Sequence, residues 1–172
     1  LSLQAGADAR LEWLPQETIL FDGAKLKRAF HLDMADDARV TLLEATTFGR
    51  LAMGEESISG MLADTWRLRR AGQLIYADNL RLDGALGATL DRKTCGDGAR
   101  TTALFLHIAP EAESLVDLAR DLLEPAQCAW GASAWNGLLA IRLLSPAPET
   151  IRSALVPLLE TLRGRPAPRV WQ

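Results

Sequence analysis

Three acidic residues stand where apolar residues belong. Glu44 is in phase with Val40, Leu42 and Phe48; Asp64 with Leu62, Trp66 and Leu68; Asp78 with Tyr76, Leu80 and Leu82. Residues two apart on a β-strand project to the same face, so each carboxylate is expected to point where its apolar neighbours point. A bare carboxylate taken out of water is costly and needs a partner or a shifted pKa. Arginines and lysines are available to pair with these acids, which then serve structure alone. Alternatively, several inward acids line a wet cavity or channel that carries a cation. A third possibility is a pair of carboxylates working as general acid and base.

The remaining candidates for chemistry are sparse. The two histidines, His31 and His107, and the two cysteines, Cys95 and Cys128, are far apart in sequence and form no cluster with the spacing of a zinc site. His31 shares the phase of Lys25 and Lys27 and is expected at the surface, and His31 with Asp33 is too thin a set for a metal. His107 and Cys128 lie in apolar segments and read as packing residues. Ser133 has no identifiable base. Walker, GxSxG, GxGxxG and HExxH motifs are missing. The run Trp66-Arg67-Leu68-Arg69-Arg70 alternates as a strand with one solvated face does.

The elements that must position these side chains are strands first and helices later. Period-two patterns cover Ala24 to Met34, Val40 to Phe48, Ile58 to Leu68 and Leu74 to Leu82, with turn residues between them. They predict antiparallel-rich β structure with one buried face over residues 1–84. Residues 85–100, with Gly87, Gly96 and Gly98, read as a connection. Residues 101–172 then read β-α-β-β-α. A buried strand spans Thr101 to Ile108, and a helix is carried by Leu115, Val116, Leu118, Ala119, Leu122 and Leu123 up to Pro125. Two strands, Cys128 to Trp135 and Leu138 to Leu144, are joined by Asn136-Gly137, the strongest short hairpin signal. A last helix over Ile151 to Leu162 is expected to be capped by Gly164 and kinked at Pro157. The fold class is therefore α+β, largely antiparallel β with two amphipathic helices, and all three segments belong to one domain.

Composition fits that class. Of 172 residues, 48% are apolar and 24% charged, enough to build a core and too apolar for a disordered chain. Nineteen basic against 22 acidic residues give a net charge of -3, which supplies no global attraction to nucleic acid or an anionic membrane. No apolar run reaches the roughly 20 residues of a membrane span. The first residues lack the features of a signal peptide, and unpaired cysteines suit a reducing cytoplasm.

A family resemblance rests on specific stretches. Leu11-Glu12-Trp13-Leu14-Pro15-Gln16-Glu17 followed by Thr18-Ile19-Leu20-Phe21 resembles a signature of the urease accessory protein UreD family (UreH in some species). Phe48-Gly49-Arg50 with Met53-Gly54-Glu55, and Leu80-Arg81-Leu82-Asp83-Gly84, look like its next blocks. Gly131-Ala132-Ser133 with Gly137-Leu138-Leu139 and Arg142-Leu143-Leu144 resembles its hairpin, and Pro168-Arg169-Val170-Trp171 its C-terminus. The resemblance covers essentially the whole chain, in order, and implies the C-terminal portion of a longer protein. It further implies an unusual, largely β fold and a cytoplasmic, non-enzymatic role in loading nickel into apo-urease with UreF and the GTPase UreG, with a homodimeric arrangement inside that complex. No tightly bound cofactor is implied. Transient Ni²⁺ is, along an internal path with acidic residues, for which Glu44 and Asp78 stand at matching positions; Asp64 is added on its phase alone. Such a path suits carboxylates, because thiolate and imidazole clusters would hold Ni²⁺ tightly whereas transit needs weak, exchangeable sites. Two other classes stay open: a β-rich interaction module without a metal, and a carboxylate acid/base enzyme.

Overall fold

The computed structural model describes residues 1–50, 53–55 and 58–171. Among the described residues there are ten strands and three α-helices. The first five strands are β1 (Ser2–Ala5), β2 (Arg10–Trp13), β3 (Thr18–Leu20), β4 (Lys25–Met34) and β5 (Arg39–Phe48). Then come β6 (Ser59–Arg70), β7 (Gln73–Ala85), α1 (Leu86–Leu90), β8 (Thr101–Ile108), α2 (Val116–Leu123), β9 (Ala129–Trp135), β10 (Leu138–Ser145) and α3 (Pro148–Arg163). The fold is α+β, as the patterns require.

Two sheets organise it. One has the order β1-β4-β6-β7; the other has the order β2-β5-β8-β10-β9, with β3 also pairing with β5. Phe30, Leu32, Trp66 and Leu68 of the first sheet pack against Val40, Leu42, Leu106, Ile108 and Leu138 of the second. The far side of the second sheet, through Leu43, Phe105, Ile141 and Leu143, is covered by Ala119 and Leu123 of α2 and by Ile151, Leu155, Leu158 and Leu159 of α3. The result is sheet on sheet on helices. The middle layer is buried on both faces, so every residue of β5 from Val40 to Phe48 is buried where one-face burial was expected. The two consecutive leucines Leu42 and Leu43 serve opposite cores.

Strand pairing is largely antiparallel, as expected, with a parallel part that was not. The pairs β6–β7, β5–β8, β8–β10 and β9–β10 are antiparallel, whereas β1–β4, β4–β6, β2–β5 and β3–β5 are parallel. Alternation reports which face is buried and carries no information about the neighbour's direction.

The C-terminal elements match closely. Asn136 and Gly137 both have positive φ, 49° and 67°, the geometry of a two-residue hairpin turn that follows the strand twist. Gly164 ends α3 in the left-handed conformation at φ 63°. Pro157 lies within α3, on its exposed side, and the helix runs through it. Residues 85–100 hold one element that composition hides: in α1, Leu86 and Leu90 are four apart and bury into a small core with Leu20, Phe48, Ile58 and Leu62. Among the described residues, no helix is long and apolar enough to cross a membrane.

Candidate functional site: a carboxylate–guanidinium cleft between the sheets

The facing strands bring the three in-phase acids to one place. Asp64 sits on β6, Asp78 on the adjoining β7, and Glu44 on β5 of the opposite sheet. All three line a single cleft of about 40 Å³, together with Arg28, Thr46, Trp66 and Arg142. That is room for a few water molecules at most.

Glu44 and Asp64 are each only 7% exposed. Their charge is met by Arg28, which projects from β4 into the space between the sheets. Its Nε and Nη2 donate to Asp64 Oδ1 and Oδ2 at 3.1 and 2.6 Å, and its Nη1 donates to Glu44 Oε2 at 2.5 Å. The indole N–H of Trp13 donates to Glu44 Oε1 at 2.8 Å. Every carboxylate oxygen of the buried pair is thus engaged. Burial works against the charge on Arg28, but the hydrogen bond to Asp64 and the charges of Glu44 and Asp64 prevail and raise its pKa above the ordinary value. The two-pronged bond to Asp64 is the strong, directional kind that a guanidinium can make and an ammonium cannot.

Asp78 marks the open end. Its Oδ2 accepts from Arg142 at 2.9 Å, its Oδ1 accepts from the backbone N–H of Asn79, and the Arg142 side chain is 58% exposed. Arg142 also donates to the Tyr76 hydroxyl at 3.0 Å. Burial pushes that hydroxyl up to about 12; Arg142 opposes the shift and Asp78 adds to it. The cleft therefore grades from a dry, fully paired inner end at Glu44 and Asp64 to a solvent-touched outer end at Asp78. Three carboxylates against two guanidinium groups leave it one negative charge in excess.

The partners were legible in the same alternation that revealed the acids. Arg28 falls between Leu26 and Phe30 on their phase, Arg142 between Ala140 and Leu144, and Trp13 two after Leu11. Other candidates lie apart: His31 and Asp33 are exposed, His107 is buried on the helix side of the second sheet, and both cysteines are free thiols. Among the described residues, no group of three or more His, Cys, Asp or Glu is arranged to hold a metal ion. A cation entering the cleft would compete with guanidinium for the same oxygens.

The signature stretch is built into this arrangement and into its supports. Trp13 reaches Glu44; Glu12 accepts from Arg163, the last residue of α3, and from Arg165 just beyond it; the Leu14 carbonyl accepts from the Trp171 indole, and Glu17 accepts from Arg152. Residues far apart in sequence thereby lock β2 and β3 to α3 and to the last residues. A family model described as UreD urease accessory protein matches residues 1–172. The chain belongs to the UreD family. It is 53% identical to the urease accessory protein UreD of Methylobacterium sp. (strain 4-46), over 99% of this chain and 62% of that protein. It is 49% identical to UreD of Azorhizobium caulinodans, over 99% of this chain and 63% of the relative. The match to UreD of Rhizobium johnstonii is 43%, over 99% and 62%. The chain thus spans about three-fifths of the length of these UreD relatives.

Proposed function

We propose that this chain serves urease maturation as a non-catalytic scaffold, acting with UreF and UreG in the cytoplasm to bring Ni²⁺ to apo-urease, and that the Arg28 cleft is a point of passage for the ion. One observation carries the second half of this reading. Acids on three different strands converge on one water-sized space between two sheets, with an excess negative charge and an exposed end at Asp78. Oxygen ligands and a displaceable counter-charge suit passage: Arg28 holds the acids while no metal is present and gives way to a divalent cation of higher charge. Binding there is weakened by that competition, as transit demands.

Membership of the family supports the first half. The decisive experiment replaces Glu44 and Asp78 together with Ala in the full-length protein and measures urease activation alongside UreF binding. Activation is expected to fall while UreF stays bound. Full activation by the double variant overturns passage through these residues.

The complete engagement of the Glu44 and Asp64 oxygens favours a second reading, in which the cluster fixes the spacing of the two sheets for a protein-binding surface. Loss of UreF binding in the same variant selects that reading.

A further inference from the structure

On the opposite side of the second sheet lies a larger opening, about 680 Å³, between the ends of β2, β5 and β8 and the helices α2 and α3. Its volume falls within the range of about 300–1,000 Å³ typical of small-molecule sites. Four arginines line it, Arg10, Arg39, Arg163 and Arg165, against two carboxylates, Glu12 and Glu111. Glu12 is shared by Arg163 and Arg165 at 3.0 and 2.9 Å, and Glu111 pairs with Arg39. Arg10 makes no ion pair among the described residues. Four cations against two anions leave two positive charges in excess, in a chain whose net charge is -3.

A buried imidazole completes the cleft. His107 is 8% exposed, and its Nδ1 is bonded to Thr41 Oγ1 at 3.0 Å. In the tautomer in which the Thr41 hydroxyl donates to Nδ1, the neutral ring carries its proton on Nε2. Nε2 has no protein partner, and no fully buried side-chain nitrogen or oxygen among the described residues lacks one, so Nε2 reaches the open space of the cleft. Leu115 and Leu118 form an apolar wall alongside, Leu118 being 40% exposed.

We propose that this cleft binds a small organic oxyanion, carboxylate- or phosphate-headed with a short apolar part. Arg10 and Arg165 attract and grip the head, His107 Nε2–H donates to it, and the leucines take the apolar part. Fixed guanidinium forks recognise planar or tetrahedral oxyanions through paired hydrogen bonds. The site is separated from the carboxylate cleft by the full thickness of the second sheet, and it stands or falls independently of the nickel reading.

The test is calorimetric titration of the full-length protein with citrate and, separately, with inorganic phosphate, at low ionic strength. Saturable one-to-one binding of citrate, weakening as salt is added, is the expected result. Binding of citrate but not phosphate assigns a carboxylate ligand, and the reverse assigns a phosphate. Arg10→Gln removes no side-chain hydrogen bond or ion pair among the described residues, and it should weaken the bound probe by about three- to tenfold. Absence of binding by either probe at millimolar concentration overturns the proposal, as does unchanged affinity in the Arg10→Gln variant.

Discussion

Arg28 and Glu44 meet across the space between the two sheets, Nη1 to Oε2 at 2.5 Å, and the same guanidinium grips Asp64 beside it. One side chain from the first sheet thus bridges an acid of its own sheet and another of the opposite one. The side chains of all three are less than one-fifth exposed, so solvent screens these pairs only weakly. Such a network stabilises little relative to an apolar core of the same shape, yet breaking it is costly because the partners are left charged and dry.

Replacing Arg28 with Ala should therefore lower stability by about 3–5 kcal/mol, read from the midpoint of urea denaturation. Arg28→Lys keeps the charge but cannot fork to both acids, and should recover only part of the loss. A variant Arg28→Ala as stable as the parent would show that the cluster contributes nothing to the fold.

Gly60 and Gly84 are register partners on β6 and β7, yet they should differ in their tolerance of a methyl group. A Cβ on Gly60 would sit 2.3 Å from the Ala24 carbonyl oxygen, which already accepts from Met61 N at 2.9 Å. Both atoms are backbone, so the entry into β4 would have to move, and the φ of 148° at Gly60 adds strain of its own. A Cβ on Gly84 meets open space, and only its φ of 86° resists. Gly84→Ala should cost about 1–2 kcal/mol, and Gly60→Ala about 3 kcal/mol or more. Thermal melts of the two variants, compared side by side, decide the order; equal losses would remove the close approach as the reason for glycine at position 60.

The residues that build the cleft were legible because its chemistry violates alternation: Glu44, Asp64 and Asp78 announce themselves as acids on an apolar phase, and Arg28 and Arg142 obey the same rule. The convergence of the acids was not legible. Phase places a side chain on a face but does not say which faces meet, and the parallel pairing of β4 with β6 and of β2 with β5 depends on crossovers without a local signature. The five-residue α1 escaped for a different reason, since Leu86 and Leu90 provide a single i,i+4 repeat amid glycines. The cleft around His107 was hidden as well. Its arginines come from β2, β5, the last residue of α3 and the segment just after it, and each looks like an ordinary solvated charge until the helices close over them.

His107 gives the fold a pH dependence whose direction can be worked out. Burial, reinforced by the charge of Arg39, lowers its pKa from 6.5 to about 4. In the unfolded chain the ring takes up a proton as pH falls through 6.5, whereas in the folded protein it stays neutral until about 4. The unfolded state thus binds more protons throughout that window, so stability is highest above pH 6.5 and declines as pH falls towards 4. The full decline attributable to this ring is about 3 kcal/mol. His31 is exposed and is kept in both proteins as an internal comparison. Denaturation midpoints measured between pH 4 and 7 for the parent and for His107→Gln should diverge, with the parent losing more stability on acidification. Gln retains an amide that can bond to Thr41 but cannot be protonated in this range, so the parent's additional slope should vanish. Parallel curves for the two proteins would mean that folding does not shift the pKa of the ring and that burial does not hold it neutral down to pH 4.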